Sequence, residues 1–341
     1  MFASRGISRL SGLLIPLILA FFIGESLASL GDRLPDFKEC VKVCEAENCQ
    51  DGNSVLLANK SPPLVAIYLR LLLWTCPAEC DYTCQHVITD RRVSRDPPML
   101  NPVVQFHGKW PFYRVLGIQE VFSVLFSFFN FLAHYYGLAK IRESIPPSYS
   151  LRRYYLGFGY CGLASWTFSM LFHTRDFPLT EKLDYFAAGA SVLYGLFLAV
   201  IRIFRLDKQH PRYKPTLRRF WTTLCIGLYV AHVSYLSFWS WDYTYNMAAN
   251  VVVGVIQNLL WTWFSVARYT KYSQSWTAWP GMIVAWIMLA MSLELLDFPP
   301  WWRLIDAHSL WHLGTVVPTA WWYSFLVKDA QDDITAERLK A

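Results

Sequence analysis

The sequence predicts an all-α integral membrane protein, a seven-transmembrane helix bundle preceded by a disulfide-rich helical-hairpin domain. Three observations predict it. Hydrophobic residues make up 54% and aromatic residues 17% of the 341 positions, while charged residues make up only 16%, against roughly a quarter in a soluble domain. Apolar stretches of about 20 residues, the length that crosses hydrocarbon as a helix, recur from residue 118 onward. Six of the eight cysteines are crowded between positions 40 and 84, ahead of all these stretches.

The first element is an apolar run of a different kind. Arg5 and Arg9 precede an apolar core at 13–23, and Ser26-Leu27-Ala28 supplies small residues after it. This is the pattern of a cleavable signal peptide over residues 1–28, with an uncleaved anchor as the alternative. Cleavage would start the mature chain near Ser29 in an exported, oxidising compartment.

Residues 29–106 form the expected luminal cysteine-rich domain. An even number of cysteines in an exported segment implies disulfides, and six permit 15 pairings. Cys40-x3-Cys44 and Cys80-x3-Cys84 each place two thiols on one helix face, and Pro77 fits the first turn of the second helix. If the two helices run antiparallel, a nested ladder follows: Cys40–Cys84, Cys44–Cys80 and Cys49–Cys76. A zinc cluster is the competing reading, although the spacing departs from C-x2-C ribbons. The apolar run at 64–74 is too short to span and is expected to pack on the hairpin or rest on the luminal leaflet. Asn59-Lys60-Ser61 matches a glycosylation acceptor, with Pro62 directly after it.

Seven spans follow at 118–139, 154–172, 185–203, 220–239, 247–267, 281–296 and 304–327, giving a membrane domain over 107–327 and a cytosolic tail over 328–341. Basic residues mark the cytosolic side. The first, third and fifth loops hold Lys140, Arg142, Arg152 and Arg153, then Arg202, Arg205, Lys208, Arg212, Lys214, Arg218 and Arg219, then Arg268 and Lys271; the even loops hold only Arg175, Lys182 and Arg303. The N-terminus is therefore expected outside or luminal and the C-terminus cytosolic. The net charge of +6 is largely this asymmetry and gives no reason to expect a nucleic-acid partner.

Ionisable groups at membrane depth usually mark a site. Ser169-x3-His173 closes the second span, Asp184 opens the third, and His308-x3-His312 opens the seventh, so all fall in one leaflet on the topology just derived. Histidines at i and i+4 lie one above the other on a helix, and a third from another helix leaves one tetrahedral position open, the pattern of catalytic Zn2+. Such an ion activates its water and polarises a carbonyl. Asp184 is the candidate general base or outer orienter, and Ser169 the candidate donor to a developing oxyanion. His134 and His232 read as helix-to-helix hydrogen-bonding residues, and Asn130 as structural; Glu120, Glu294 and Asp306 are open between structural glue and the substrate path. His107 is a candidate head-group contact, Cys161 and Cys225 buried inert thiols, and Trp239, Trp241, Trp301 and Trp302 an interfacial belt.

The S-x3-H, downstream Asp and H-x3-H pattern across seven spans resembles the CREST superfamily of membrane hydrolases. Within it, the cysteine-rich segment, the stretch from Gln105 to Phe112, and Phe172-His173-Thr174-Arg175-Asp176 with Leu183-Asp184-Tyr185-Phe186 resemble the post-GPI-attachment lipid-remodelling phospholipases. The resemblance implies phospholipase A2-type removal of the sn-2 acyl chain from GPI already attached to protein, with GPI-anchored proteins as substrates. It implies Zn2+ on His173, His308 and His312, accompanied by Asp184 and Ser169. It implies a multi-pass protein of the endoplasmic reticulum membrane, or of the Golgi; Glu337-Arg338-Leu339-Lys340-Ala341 lacks a dilysine retrieval motif. Two other classes stay open at this stage: another membrane lipid hydrolase such as a ceramidase, and a non-catalytic seven-span receptor or secretory-pathway folding factor. The oligomeric state is open.

Overall fold

The computed structural model describes residues 29–49, 65–208, 210 and 213–338; the expected signal peptide and the acceptor Asn59 lie outside the described residues. Among the described residues all regular structure is helical, with strand pairing limited to isolated bridges.

The N-terminal part comprises α1 (Leu30–Arg33), α2 (Pro35–Asn48), α3 (Ile67–Leu71) and α4 (Cys76–Val93). Pro35 starts α2 and Pro77 the first turn of α4, where the missing N–H is no loss. The Thr75 hydroxyl accepts from the Ala78 N–H at the head of α4. The two long helices are joined by Cys40–Cys84, Cys44–Cys80 and Cys49–Cys76, the nested ladder expected of an antiparallel hairpin. With all six sulfurs consumed, the zinc reading of these cysteines falls. Phe37, Ile88, Val104 and Phe106 fill the space beside the ladder. The 64–74 run does pack on the hairpin: Val65, Leu69 and Trp74 are buried with Cys76.

Seven long helices follow: α5 (Val121–Ser144), α6 (Arg152–Thr174), α7 (Pro178–Ile203), α8 (Pro215–Phe238), α9 (Tyr243–Tyr272), α10 (Trp279–Leu296) and α11 (Ala307–Arg338). Four stretches, Val121–Ser144, Pro178–Ile203, Tyr243–Tyr272 and Ser275–Glu294, are long and apolar enough to cross a membrane by length and composition. Helices α6, α8 and α11 match them in length but are diluted by polar residues, including Arg152 and Arg153, Arg218 and Arg219, and His308, His312 and Asp329.

The packing order is a closed ring, α5 on α6, α6 on α7, α7 on α9, α9 on α10, α10 on α11 and α11 back on α5, with α8 set against α7. Gly162 on α6 lets the His134 ring of α5 lie directly on its Cα, where any Cβ would clash. His134 Nδ1 in turn meets the Tyr323 hydroxyl of α11 at 2.7 Å, the helix-to-helix role expected of it. Cys225 is buried as expected, whereas Cys161 is only half-buried.

Helix α11 differs from the expected seventh span at both ends. It begins at Ala307 because Trp301 and Ile305 form a tight turn ahead of it, and it is capped by Asp306, whose carboxylate accepts from the Ser309 N–H at 2.8 Å. It then runs without a break to Arg338, so no joint separates the bundle from residues 328–338. Pro318 lies within it and offers no N–H to the carbonyl of Gly314. The Trp286 indole of α10 donates to that oxygen at 2.9 Å and satisfies it.

At the bundle end remote from the hairpin, Arg202 Nε and Nη2 donate to the fully buried Asp329 carboxylate at 2.5 and 2.7 Å. Arg268 bridges Asp329 and Asp332, and Arg205 pairs with Asp333. An aromatic core of Tyr155, Trp261, Trp322, Tyr323 and Phe325 surrounds this network. The hairpin end is where the other ionisable groups gather.

Candidate metal centre

His173 stands in the last turn of α6 and His308 and His312 in the first turns of α11. The three rings converge, with centroids 5.2 Å apart for His173–His308, 5.0 Å for His173–His312 and 4.5 Å for His308–His312. Each offers a ring nitrogen within 4.8 Å of the others. His173 and His312 are buried and His308 is partly exposed.

Each ring is oriented through its Nδ1. His173 Nδ1 donates to Glu120 Oε2 at 2.8 Å, and His308 Nδ1 to Glu294 Oε2 at 2.6 Å. His312 Nδ1 lies 2.9 Å from the Ser127 hydroxyl and 3.4 Å from the Ser123 carbonyl. A carboxylate only accepts, so the proton sits on Nδ1 and the Nε2 lone pair is left free. His173 Nε2 is buried with no hydrogen-bond partner in the protein, which a satisfied core histidine would not show. Three imidazoles with anchored Nδ1 atoms, one presenting an orphaned Nε2, fit a metal of the zinc type.

The other expected residues take different places. Asp184, in the first turns of α7, is half-buried and close enough to His173 and His308 to interact electrostatically with both. Ser169 Oγ is buried and lies 3.0 Å from Ser127 Oγ, one link behind His312. Asn130 ties α5 to α11 by donating to the His312 carbonyl at 2.7 Å, a structural role as expected. Glu120 and Glu294, left open by the sequence, are the partners of two histidines.

Lys109 and Ser127 carry site contacts that sequence reasoning missed. Lys109 Nζ contacts Glu120 Oε1, lies 3.1 Å from Asp176 and stands 3.9 Å from the centre of the Phe172 ring. Burial alone would lower its pKa, but the two carboxylates outweigh that and hold it above the usual lysine value.

Lys109 belongs to a turn that fastens the hairpin to the bundle. Phe106-His107-Gly108-Lys109 closes with backbone hydrogen bonds of 2.7 and 2.9 Å, and both central residues have positive φ, the geometry of a type I′ turn. Its side chains fan out to separate partners. Phe106 enters the hairpin core against Phe37. His107 Nε2 lies 2.9 Å from Asp81, so the expected head-group contact is instead a clasp on α4. Gln105 and Trp110 both donate to Asp297, at 2.8 Å, just beyond α10 and Glu294.

A second fastening reaches the loop before α11. Arg303 contacts Asp90 and His86 of α4, and the Tyr113 N–H donates to the Arg303 carbonyl at 2.8 Å. Thus the segment that ends at Glu120, the one that begins at Asp297 and the loop ahead of His308 are all tied to the disulfide hairpin. Aromatic rings wall the site: Trp166 packs edge-on to His312, and Phe172 packs against Tyr185, which stacks on Trp241. Trp241 is therefore a wall residue, while Trp239, Trp301 and Trp302 are exposed as a belt requires.

Comparison with known proteins identifies the family. A sequence model of the Per1-like family matches residues 66–330. "Protein PER1 homolog" of Schizosaccharomyces pombe is 43% identical over 313 residues, covering 92% of this chain and 91% of that protein. Proteins named "GPI-specific phospholipase A2-like PGAP3" are similar across nearly their whole length: that of Xenopus laevis is 36% identical over 316 residues (92% of this chain, 94% of that protein), and that of Homo sapiens 36% over 302 residues (89% of each).

Proposed function

The chain belongs to the Per1-like family, and from that premise we propose that it is a metal-dependent GPI phospholipase A2, removing the sn-2 acyl chain of protein-attached GPI. The observation that carries the chemistry is the convergence of His173, His308 and His312 with every Nδ1 anchored and the His173 Nε2 free. The names of the PGAP3 relatives support the substrate class. The chain is read as seven spans, α5 to α11, with the hairpin luminal, in the endoplasmic reticulum membrane or the Golgi. The basic-residue asymmetry of its loops supports that orientation.

His173, His308 and His312 would hold Zn2+, which when bound supplies an activated water and a Lewis acid for an ester carbonyl. Glu120, Glu294 and Ser127 keep the three imidazoles in one tautomer and orientation. Asp184 accepts the proton of the attacking water and passes it to the departing glycerol oxygen, so that lysolipid and free fatty acid leave. Ser169 bonds through Ser127 and steadies His312; a direct role toward the oxyanion requires its hydroxyl to turn from Ser127. The aromatic wall excludes bulk water and offers an apolar surface to the acyl chain. A GPI anchor has its glycan and protein in the lumen and its sn-2 ester at about the depth of helix ends, the level at which this site is expected.

The test is made on the purified protein and its His308→Ala variant. Metal content is measured together with fatty acid release from a GPI-anchored substrate labelled at sn-2. Stoichiometric zinc and acyl release, both lost in a variant that still folds, are the expected result. Zinc without release from GPI, but with release from ceramide or another lipid, would keep the metal site and replace the substrate. Neither zinc nor release would overturn the reading.

A further inference from the structure

Helix α3 has two faces. Leu69 and the following Trp74 turn inward onto the hairpin, while Ile67, Leu71 and Leu73 are 75%, 78% and 61% exposed. Beside them lies Leu116, 82% exposed, in the turn Val115-Leu116-Gly117-Ile118 just ahead of α5. The two segments are locked together. The Trp74 indole donates to the Gly117 carbonyl at 3.0 Å, and the space at the Gly117 Cα is filled by Leu72 and Leu69, leaving no room for a Cβ. The exposed leucines thus form one apolar foot under the hairpin, beside the head of a membrane-crossing helix.

The backbone makes this exposure costly in two ways. Leu73 and Leu116 have φ of 61° and 54°, a left-handed conformation that disfavours a residue with a Cβ. Position 116 is the first central residue of a type I′ turn, where Asn, Asp or Gly is preferred. A leucine held there and left in water gains nothing for either penalty. The position makes sense if the side chain has an apolar environment to enter.

The height of the foot is set by the bundle. Gln119 and Glu120 N–H groups donate to the carbonyls of Thr174 and His173 at 3.0 Å, so the turn carrying Leu116 sits at the end of α6, level with the candidate metal centre. Arg70, Arg114 and Arg175 lie alongside; the last two stand 4.2 and 4.1 Å from the Trp74 ring. The Arg114 side chain is buried and paired with Glu79 at 2.7 Å, which leaves Arg70 and Arg175 as the partly exposed cations beside the apolar residues, the pairing of acyl and phosphate layers in a leaflet. Leu125, Phe128 and Phe129 of α5, the helix that follows this turn, are exposed as well, and a continuous apolar surface along a membrane-crossing helix favours lipid over a protein partner. We propose that Ile67, Leu71, Leu73 and Leu116 form a membrane-inserted foot that seats the disulfide hairpin in the leaflet facing the metal centre. This rests on the bundle lying in a bilayer and is independent of the substrate assigned above.

The full chain is reconstituted in liposomes containing a trace of phospholipid with a diazirine on one acyl chain, photolysed, and mapped by mass spectrometry. Adducts are expected on the peptides carrying Ile67 to Leu73 and Leu116 as well as on the spans. Labelled spans establish insertion, so an unlabelled foot in the same sample overturns the proposal without touching the hydrolase reading. A Leu71→Asp, Leu116→Asp double variant should lose foot labelling by about tenfold or more, since a buried leucine favours hydrocarbon by over one decade. Its span labelling and metal content should be unchanged. In a parallel sample carrying a diazirine side chain at positions 71 and 116, crosslinks to a second copy of the chain with no lipid adduct would give the surface to protein and overturn the proposal.

Discussion

Glu120 and His173 are joined twice. The Glu120 N–H donates to the His173 carbonyl at 3.0 Å, and His173 Nδ1 donates to the Glu120 carboxylate at 2.8 Å. The entry to α5 and the exit of α6 are thereby locked at the ligand itself. Replacing Glu120 by Gln keeps the size and the backbone bond but removes the charge. Metal affinity should fall about 10- to 100-fold, measured by competition with a chromogenic chelator on folded protein.

Lys109 neutralises Glu120 and Asp176 in a site only 21% exposed at the lysine side chain. Lys109→Met leaves both carboxylates unopposed, and removing one partner of a buried pair costs about 3 kcal/mol or more. A lowered Tm in detergent and faster metal loss to chelator are expected. Lys109→Arg should restore much of both, since it returns the charge.

Asp184 and Ser169 are expected to separate in kinetic weight. Asp184→Asn removes the base while leaving all three histidines anchored, so kcat should fall about a hundredfold or more with metal retained. Ser169→Ala leaves Ser127 free to hold His312, so its effect should be smaller than that of Asp184→Asn. Equal losses of kcat, with metal content intact in both, would show that Ser169 acts on the substrate directly.

Acid should loosen the hairpin from the bundle. His86 is held at about 4 by burial first and then by the Arg303 guanidinium, below the 6.5 of a free histidine. Its neutral form is the one that fits between the Phe112 carbonyl and Arg303. The stabilisation is full above pH 6.5 and is lost as pH falls towards 4. His107 has the opposite sign, because the hydrogen bond to Asp81 raises its pKa; its contribution is full in acid and fades as pH rises through that value. Limited proteolysis against pH should show increasing cleavage below pH 6.5, and His86→Gln should flatten that limb.

The remote charge network makes a separate prediction. Asp329 is fully buried and accepts from both Arg202 and Arg268. Asp329→Asn should destabilise the protein by about 3 kcal/mol. Its hydrolytic rate per folded molecule should be unchanged, since the contact lies at the other end of α11 from His308.

The parts legible in the sequence were those fixed by spacing along one element. His308 and His312 fall one turn apart whatever surrounds them, and the cysteine ladder follows once two helices oppose each other. Glu120 and Glu294 were visible as charges at span ends, but their partners were not, because which ring each one meets depends on how α5, α6, α10 and α11 close into a ring. Lys109 drew no reading of its own, because its partners lie eleven positions away at Glu120 and farther still at Asp176. The setting of α8 against α7, with α9 as the ring neighbour, left no trace in hydropathy. Nor did the true start of α11, which a turn at Trp301 and Ile305 decides.

Helix α11 carries a measure of thickness in its own length. Ala307 to Asp329 is 23 residues, or about 33 Å of helix rise, close to the roughly 30 Å of bilayer hydrocarbon. On the seven-span reading, its histidine end and its aspartate end therefore stand at the two edges of the hydrocarbon. A thinner bilayer must be met by tilt, and a much thicker one draws charged groups into hydrocarbon. Without tilt the helix matches a bilayer of about 33 Å, and one of roughly 27 Å is met by leaning, so how far the bundle leans is set by the distance between two polar ends of one helix.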